Sequence, residues 1–427
     1  MNLAVIGAGY VGLVTAAVFA KFGNKVWVVE INKKKIKKLC QGKIPFYEPG
    51  LGKLITNNIK AKRLEFTDSY QETIPNAEII FVCVGTPDEM GEIDLSYVYS
   101  ATKSIAENLK RPAIVVIKST VPPGINTKLE EWMKKYTKIR FDLASVPEFL
   151  REGKALEDTL NPYRIVIGAE KKSVANKLLK LHQKISGQRL ICDPASAQLI
   201  KYASNAFLPT KISFANAISL LCDKFGADVN KVMKGMGMDD RIGPDFLGAG
   251  LGYGGSCFPK DIASLIKLGE KVKYNFEILK AVQYANKAQI DYFLKKVARL
   301  CGGSVKGKIM VVLGLAFKPE TSDMREARSI YVIKGLKRKG AKVRACDPVA
   351  IPGAKKILSG VRFFTNPYQA LKGADALLLV TEWDEYRRLD FKKVKRLMKE
   401  LVVVDGRNIY NRKRLEKLGF VYEGIGR

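Results

Sequence analysis

Cys257 stands in the run Gly252-Tyr253-Gly254-Gly255-Ser256-Cys257-Phe258-Pro259-Lys260-Asp261, with further glycines at 248 and 250 just before it. Glycines spaced this way open backbone conformations closed to other residues and let the chain come close to a ligand. Pro259 suits the first turn of a helix. The thiol is therefore expected at a helix N-terminus beside Lys260, where positive potential favours the thiolate. Asp261, four residues on, shares one side of that starting helix. Most cysteines are small core residues, but one in a glycine-rich loop fits a nucleophile better. Lys201 and Asn205 form a second candidate pair, spaced i, i+4 so that both project from one helix face. Their neighbours Leu199, Ile200, Ala203, Ala206 and Phe207 make that face partly buried rather than a solvated edge. His182 is the sole histidine, so proton transfer must rest on carboxylates, lysine, cysteine or water.

These groups need elements to position them, and the N-terminus shows the clearest. A short apolar strand at 3–6 leads into Gly7-Ala8-Gly9-Tyr10-Val11-Gly12, then a helix at 13–22 and a strand at 26–29 ending on Glu30. In this dinucleotide fingerprint one glycine makes the turn, one admits the pyrophosphate and one lets helix and strand pack. Glu30 is placed to accept from ribose hydroxyls and to repel a 2′-phosphate, which favours NAD over NADP; the lysines at 33–35 weaken that preference. Strands at 79–84 and 114–117 run into Gly85-Thr86-Pro87 and Lys118-Ser119-Thr120, and strands at 141–146 and 164–168 follow. Ligands of open parallel sheets lie at such carboxyl ends.

Asp193-Pro194 reads as an N-cap followed by proline at the first helical position, and apolar periodicity then continues to Phe225 before Gly226. A helix that long suits a spine between domains or a dimer contact. Pro209 should kink it and remove the bond to the carbonyl of Asn205. Residues 226–243 read as a methionine- and glycine-rich linker, and two helices are expected after the cysteine loop. Strands at 308–313, 342–346, 376–380 and 401–404 suggest a second α/β domain, in which Ala374-Asp375-Ala376-Leu377 echoes Ala77-Glu78-Ile79-Ile80. Its first turn lacks a full GxGxxG, so it should not hold the dinucleotide. The expected architecture is α/β: two Rossmann-like doubly wound domains joined by a long central helix and a helical middle region. The divisions expected are 1–192, 193–302 with the cysteine, and 303–427.

Composition bounds the function. The chain of 427 residues is 47% hydrophobic and 27% charged, as in globular proteins, which excludes wholesale disorder. The seven cysteines include no CxxC pair, which argues against a zinc site or disulfide framework and for a reducing, cytoplasmic setting. A net charge of +31 raises the question of nucleic acid. However, the lysine clusters at 33–38, 334–342 and 392–399 sit at helical spacing beside apolar residues, and no nucleic-acid motif accompanies them. They are expected to be solvated helix faces that also steer dianionic substrates. Residues 2–20 are uncharged, but no basic residues precede them and glycines interrupt them, so neither a signal peptide nor a membrane span is expected.

Taken together, the residues resemble the UDP-glucose/GDP-mannose dehydrogenase family over nearly the whole chain. The resemblance rests on the N-terminal GxGxxG, Lys118-Ser119-Thr120-Val121-Pro122, Pro147-Glu148-Phe149-Leu150, Lys201 with Asn205, Arg241-Ile242-Gly243, the motif from Gly254 to Asp261, and Lys318 with Arg325. It implies an NAD-dependent four-electron oxidation of a nucleotide-sugar C6 alcohol to a carboxylate, with UDP-glucose the leading substrate. GDP-mannose or a UDP-N-acetylhexosamine is the alternative; a non-catalytic nucleotide-sugar or polyanion binder is the reading from a different class. For catalysis the resemblance points to Cys257 as nucleophile, Lys201 and Asn205 as oxyanion stabilisers, and Thr120, Glu148 and Asp261 around water. For the cofactor it points to Gly7, Gly9, Val11, Gly12, Glu30, Lys35, Thr86, Thr120, Glu152, Lys260 and Arg325. For the sugar nucleotide it points to Glu148, Phe149, Leu150, Arg151, Glu152, Lys201, Asn205, Phe246, Leu247, Gly248, Ala249, Gly250, Gly254 and Lys318. Arg407 would reach the diphosphate, and Arg241 the neighbouring site of a homodimer.

Overall fold

The computed structural model describes every residue except Met90. The chain divides into two compact units, Met1–Ser204 and Asn205–Arg427.

In the first unit the strands β1 (Asn2–Ile6), β2 (Lys25–Val29), β3 (Leu64–Thr67), β4 (Ile79–Val82), β7 (Ala113–Ile117), β8 (Phe141–Ser145), β9 (Arg164–Ala169) and β10 (Gln188–Cys192) form one sheet; β5 (Asp88–Glu89) and β6 (Glu92–Ile93) pair as a separate hairpin. The sheet order is β10-β9-β8-β7-β4-β1-β2-β3. Its parallel part has the doubly wound order, reversing between β1 and β4, where nucleotides bind such sheets. Strand direction changes at the far edge, where β9 runs antiparallel to β8 and β10 follows β9. Helices cover both faces, so the central strands are apolar throughout; all of Ile79–Val82 is buried. Leu3, Val5, Leu13, Val26, Ile79 and Phe81 fill one face and Ala4, Ile6, Ile80, Val82 and Val115 the other. Each of the Leu, Val, Ile and Phe side chains contributes roughly 1.5–3 kcal/mol by burial.

The second unit repeats the plan. The strands β11 (Ile309–Leu313), β12 (Lys342–Cys346), β13 (Arg362–Phe364), β14 (Ala376–Leu379), β15 (Val402–Asp405) and β16 (Val421–Glu423) lie in the order β13-β12-β11-β14-β15-β16. The pairings are all parallel. The echoed acids do the same work in both sheets. Glu78 accepts the amide of Asn2 at 3.1 Å, and Asp375 accepts that of Ile309 at 2.7 Å, so each ties the start of its own sheet's first strand. At the first turn the units diverge. Asp347, at the end of β12, accepts from the amides of Leu315 (2.7 Å) and Ala316 (3.2 Å) and from Trp383 Nε1 (3.3 Å), so a carboxylate of the chain itself occupies those donors.

Helices fill the remainder. The long helix Pro194–Phe225 starts where Asp193 caps Ser196 N at 2.8 Å, and Gly226 follows it in a left-handed conformation (φ 72°). It runs unbroken through Pro209, whose ring is buried. The stretch expected as a linker at 226–243 instead contains the helix Val229–Gly237. Asp228 caps it by accepting from Asn230 N at 2.9 Å. Val229, Val232, Met233 and Met236, spaced i, i+3, i+4, i+7, pack on the core, so its methionines are core residues of an amphipathic helix. Among the described residues no helix is long and apolar enough to cross a membrane.

Candidate active site

The glycine fingerprint follows β1, and its helix begins at Tyr10, three residues earlier than its apolar run suggests. Gly7 has φ 99° and donates to Val29 O at 2.8 Å, closing the turn. A Cβ on Gly12 would lie 1.9 Å from Gly7 O, so only glycine allows this packing. A Cβ on Gly9 would meet nothing within 4 Å, so this position faces open space at a helix N-terminus, as a pyrophosphate requires. Val11 is half-buried beside it. Glu30 accepts from Ala8 N (3.3 Å), Asn32 N (3.1 Å) and Lys35 Nζ (2.8 Å). Burial opposes its ionisation, but the Lys35 ammonium and the two amides outweigh that and hold its carboxyl below the usual range. These residues fit a dinucleotide.

At the carboxyl ends of β4, β7 and β8 lie Thr86, Thr120 and Glu148. Ser119 Oγ donates to Val84 O at 2.7 Å, fixing the turn that carries Thr120. Glu148 Oε1 accepts from Lys201 Nζ at 2.7 Å, and its Oε2 from Leu150 N at 2.7 Å. Lys201 is 4% exposed, so this pair is largely removed from water. A narrow cleft lined by Thr120, Ser145, Pro147, Gln198 and Lys201 opens beside it. Phe149 stacks under the Arg164 guanidinium at 4.0 Å, and Arg151 pairs with Asp158 at 2.7 Å. The loop bearing Arg151 and Glu152 is held by Glu48, which accepts from Gly153 N and Ala155 N at 2.7 Å each. Cys83 is no rival nucleophile: burial pushes its thiol up to about 12.

In the second unit Cys257 is exposed and is the N-cap residue of the helix Phe258–Lys271, with Pro259 in the first turn. Ser256 Oγ lies 3.5 Å from its sulfur. Asp261, 1% exposed, receives Asn205 Nδ2 and Lys260 Nζ at 2.7 Å each. Asn205 therefore holds a carboxylate at the start of the cysteine helix, a role that spacing alone did not suggest.

The glycine loop is fastened from several sides. A Cβ on Gly254 would meet Glu326 O at 2.2 Å, and Gly255 N donates to Arg325 O at 3.0 Å. Arg325 itself is exposed and paired with Asp323. The Phe317 ring, next to Lys318, closes on Gly255. Phe246, in a left-handed conformation (φ 64°), begins the 246–250 loop with its ring 6.4 Å from that of Phe258. Leu247 and Ala249 are buried, Gly248 faces open space, and Gly250 abuts Arg407. Arg407 is anchored by Val380 O (2.7 Å) and Glu382 (3.2 Å). Arg241 stands apart, highly exposed and forked onto Asp239. Three residues that sequence reasoning missed hold this loop. Asn216 accepts from Gly250 N at 2.8 Å, Gln289 donates to Gly250 O at 2.8 Å, and Asn286 clamps both Tyr253 N (2.8 Å) and Tyr253 O (3.1 Å). The available signal was an amide on the apolar side of a helix.

A doubly wound sheet with a NAD-type glycine turn defines the class, a nicotinamide-dependent dehydrogenase. Comparison with known proteins gives the family. Residues 1–186 match the model of the UDP-glucose/GDP-mannose dehydrogenase family, NAD binding domain; 195–288 match its central domain and 311–412 its UDP binding domain. The UDP-glucose 6-dehydrogenase TuaD of Bacillus subtilis is 44% identical over 430 residues, covering 100% of this chain and 93% of that one. Among solved structures, a UDP-glucose dehydrogenase from Pyrobaculum islandicum superposes with TM-score 0.92 at 38% identity, covering 100% of this chain and 97% of the other. A UDP-D-ManNAc dehydrogenase from Pyrococcus horikoshii gives 0.89 at 27%, covering 100% and 99%. The chain belongs to the UDP-glucose/GDP-mannose dehydrogenase family and uses NAD.

Proposed function

We propose that the protein oxidises UDP-glucose at C6 to UDP-glucuronate with two NAD+ through a covalent adduct on Cys257. The observation that carries this reading is the exposed Cys257 thiol at its helix N-terminus, with the buried Asp261 carboxylate one turn on. That TuaD, a Pseudomonas aeruginosa relative and the Pyrobaculum islandicum protein are named UDP-glucose dehydrogenases supports the choice of sugar. NAD+ bound at the glycine turn supplies the oxidising power, accepting two electrons in each half of the reaction.

The first oxidation turns the C6 alcohol into an aldehyde and releases a proton. An aldehyde cannot lose a second pair of electrons until something adds to its carbonyl. The Cys257 thiolate adds to give a thiohemiacetal, whose oxidation yields a thioester, and water then cleaves the thioester to carboxylate and thiol. In sum, alcohol, two NAD+ and water give carboxylate, two NADH and three protons. In this scheme Lys201 stabilises the developing oxyanion and Asn205 orients Asp261. Thr120, Glu148 and Asp261 position and deprotonate the water. Gly7, Gly9, Val11, Gly12, Glu30, Lys35, Thr86, Glu152, Lys260 and Arg325 hold the cofactor. The residues at 148–152 and 246–250, with Gly254, Lys318 and Arg407, hold the UDP-sugar.

The proposal extends to assembly, domains and setting. Phe207, Phe214 and Leu221 recur every seven residues along the long helix and are about half exposed, with Phe225 83% exposed beyond them. Such a stripe supports a homodimer, with Arg241 reaching the neighbouring site. The divisions at 1–192, 193–302 and 303–427 go with it, as does a cytoplasmic setting. Replacing Cys257 by Ser tests the mechanism: turnover should stop at a covalent or aldehyde stage with NAD binding intact. Full acid production by that variant would refute it.

A further inference from the structure

Glu148 and Lys201 are held together by neutral side chains to which the chemistry above gives no part. Gln198, 4% exposed, lies one turn before Lys201 on the same helix. Its Nε2 donates to Asn126 Oδ1 and to Ser145 Oγ at 2.8 Å each, and its Oε1 accepts from Gly124 N at 2.9 Å. Ser145 Oγ in turn donates to Asn126 Oδ1 at 3.2 Å. Ser145 is 1% exposed and Asn126 9%. Ser145 ends β8, three residues before Glu148, just as Gln198 stands three before Lys201. The network therefore ties together the two elements that carry the ion pair, one step behind the pair itself.

Its chemistry is unusual for such a place. An apolar side chain is the default between a sheet and a helix and would cost less entropy to order than glutamine. Apolar contact, however, leaves a helix free to rotate or slide slightly. Hydrogen bonds to one amide and two side chains allow a single setting, and in a buried place each is strengthened and costly to leave unmade.

We propose that Gln198 is a positioning residue: by docking the long helix on the end of β8 it fixes the Lys201 ammonium against Glu148. The proposal rests on the oxyanion role given to Lys201. Removing the dock lets Nζ drift, and a displacement near 1 Å at a catalytic group costs on the order of 10²-fold in rate.

The test is a double-mutant cycle with Gln198→Met and Lys201→Ala. Gln198→Met should lower kcat for UDP-glucose oxidation by about tenfold or more while the KM for NAD+ stays within about twofold. In the Lys201→Ala background the same change should alter kcat by less than about twofold, because it acts through Lys201. Independently of activity, hydrogen exchange at the Gly124 amide should speed up in Gln198→Met and not in Lys201→Ala. Should Gln198→Met not fold, Ser145→Ala, which removes the bonds of Ser145 to Gln198 and Asn126 but leaves that of Gln198 to Gly124 N, replaces it in the cycle. Full kcat in Gln198→Met, or equal losses in both backgrounds, overturns the proposal. Full kcat in Lys201→Ala overturns the role of Lys201 as well, which separates the two failures.

Discussion

Gly254→Ala is the sharpest perturbation of the cysteine loop. An added Cβ would sit 2.2 Å from Glu326 O and 3.0 Å from its carbonyl carbon, and both are backbone atoms that cannot swing aside. Reaching 3.0 Å from the oxygen requires the strands of the loop to part by about 0.8 Å. Overpacking of this kind costs roughly 1–3 kcal/mol. The neighbouring bond from Gly255 N to Arg325 O is lost or stretched with it, at about 1 kcal/mol. A total of about 2–4 kcal/mol in a unit of this size lowers Tm by roughly 5–15 °C. Because Cys257 lies three residues along, a shift approaching 1 Å should also cut kcat by about 10²-fold. Gly248→Ala is the internal control, since a Cβ there meets nothing within 4 Å; its stability should stay within about 0.5 kcal/mol of the parent. Calorimetry and steady-state NADH production on the two variants decide the matter. If Gly254→Ala keeps the parent's Tm and kcat, the loop does not hold Cys257 in the way described.

Two further outcomes follow from buried charge. His182 is pushed down to about 4 by burial, with the charges of Lys118 and Arg189 adding to the effect and the bond to Leu178 O opposing it. Because the unfolded chain takes up that proton first, stability should be constant above about pH 6.5 and fall as pH drops toward 4, by about 2 kcal/mol at pH 5. In urea titrations His182→Phe should flatten this slope between pH 7 and 5, and an unchanged slope contradicts the assignment. Lys296, 5% exposed, pairs with Asp223 at 2.8 Å and donates to Gly424 O at 2.7 Å, tying its own helix to the long helix and to the turn after β16. Lys296→Met strands Asp223 without its cation and should cost about 3–5 kcal/mol by denaturant unfolding; a cost below about 1 kcal/mol would show that the pair contributes little.

What the sequence revealed was local in the chain. The glycine turn and Glu30 lie within 24 residues of one another, and each carries a fixed backbone requirement, so spacing alone exposes them. The cysteine helix was legible for the same reason, since Pro259 and Asp261 mark its first turn. Elements without such marks were missed. β10 is an edge strand with four of its five residues exposed, so no alternation betrays it. The helix Val229–Gly237 was hidden by glycines and methionines that read as a linker. Pro209 does not end the long helix, which continues through it to Phe225. Least legible were the amides that hold the site. Asn286 meets Tyr253 from 33 residues away and Gln198 meets Asn126 from 72, and only the folded chain makes those pairs.

The central claim is that Cys257 carries the sugar between two oxidations on one protein. Counting NADH formed per UDP-glucose consumed, with the nucleotide sugar limiting, tests it most directly. The account predicts two NADH and one UDP-glucuronate for each UDP-glucose; a ratio of one, with aldehyde released, would contradict it.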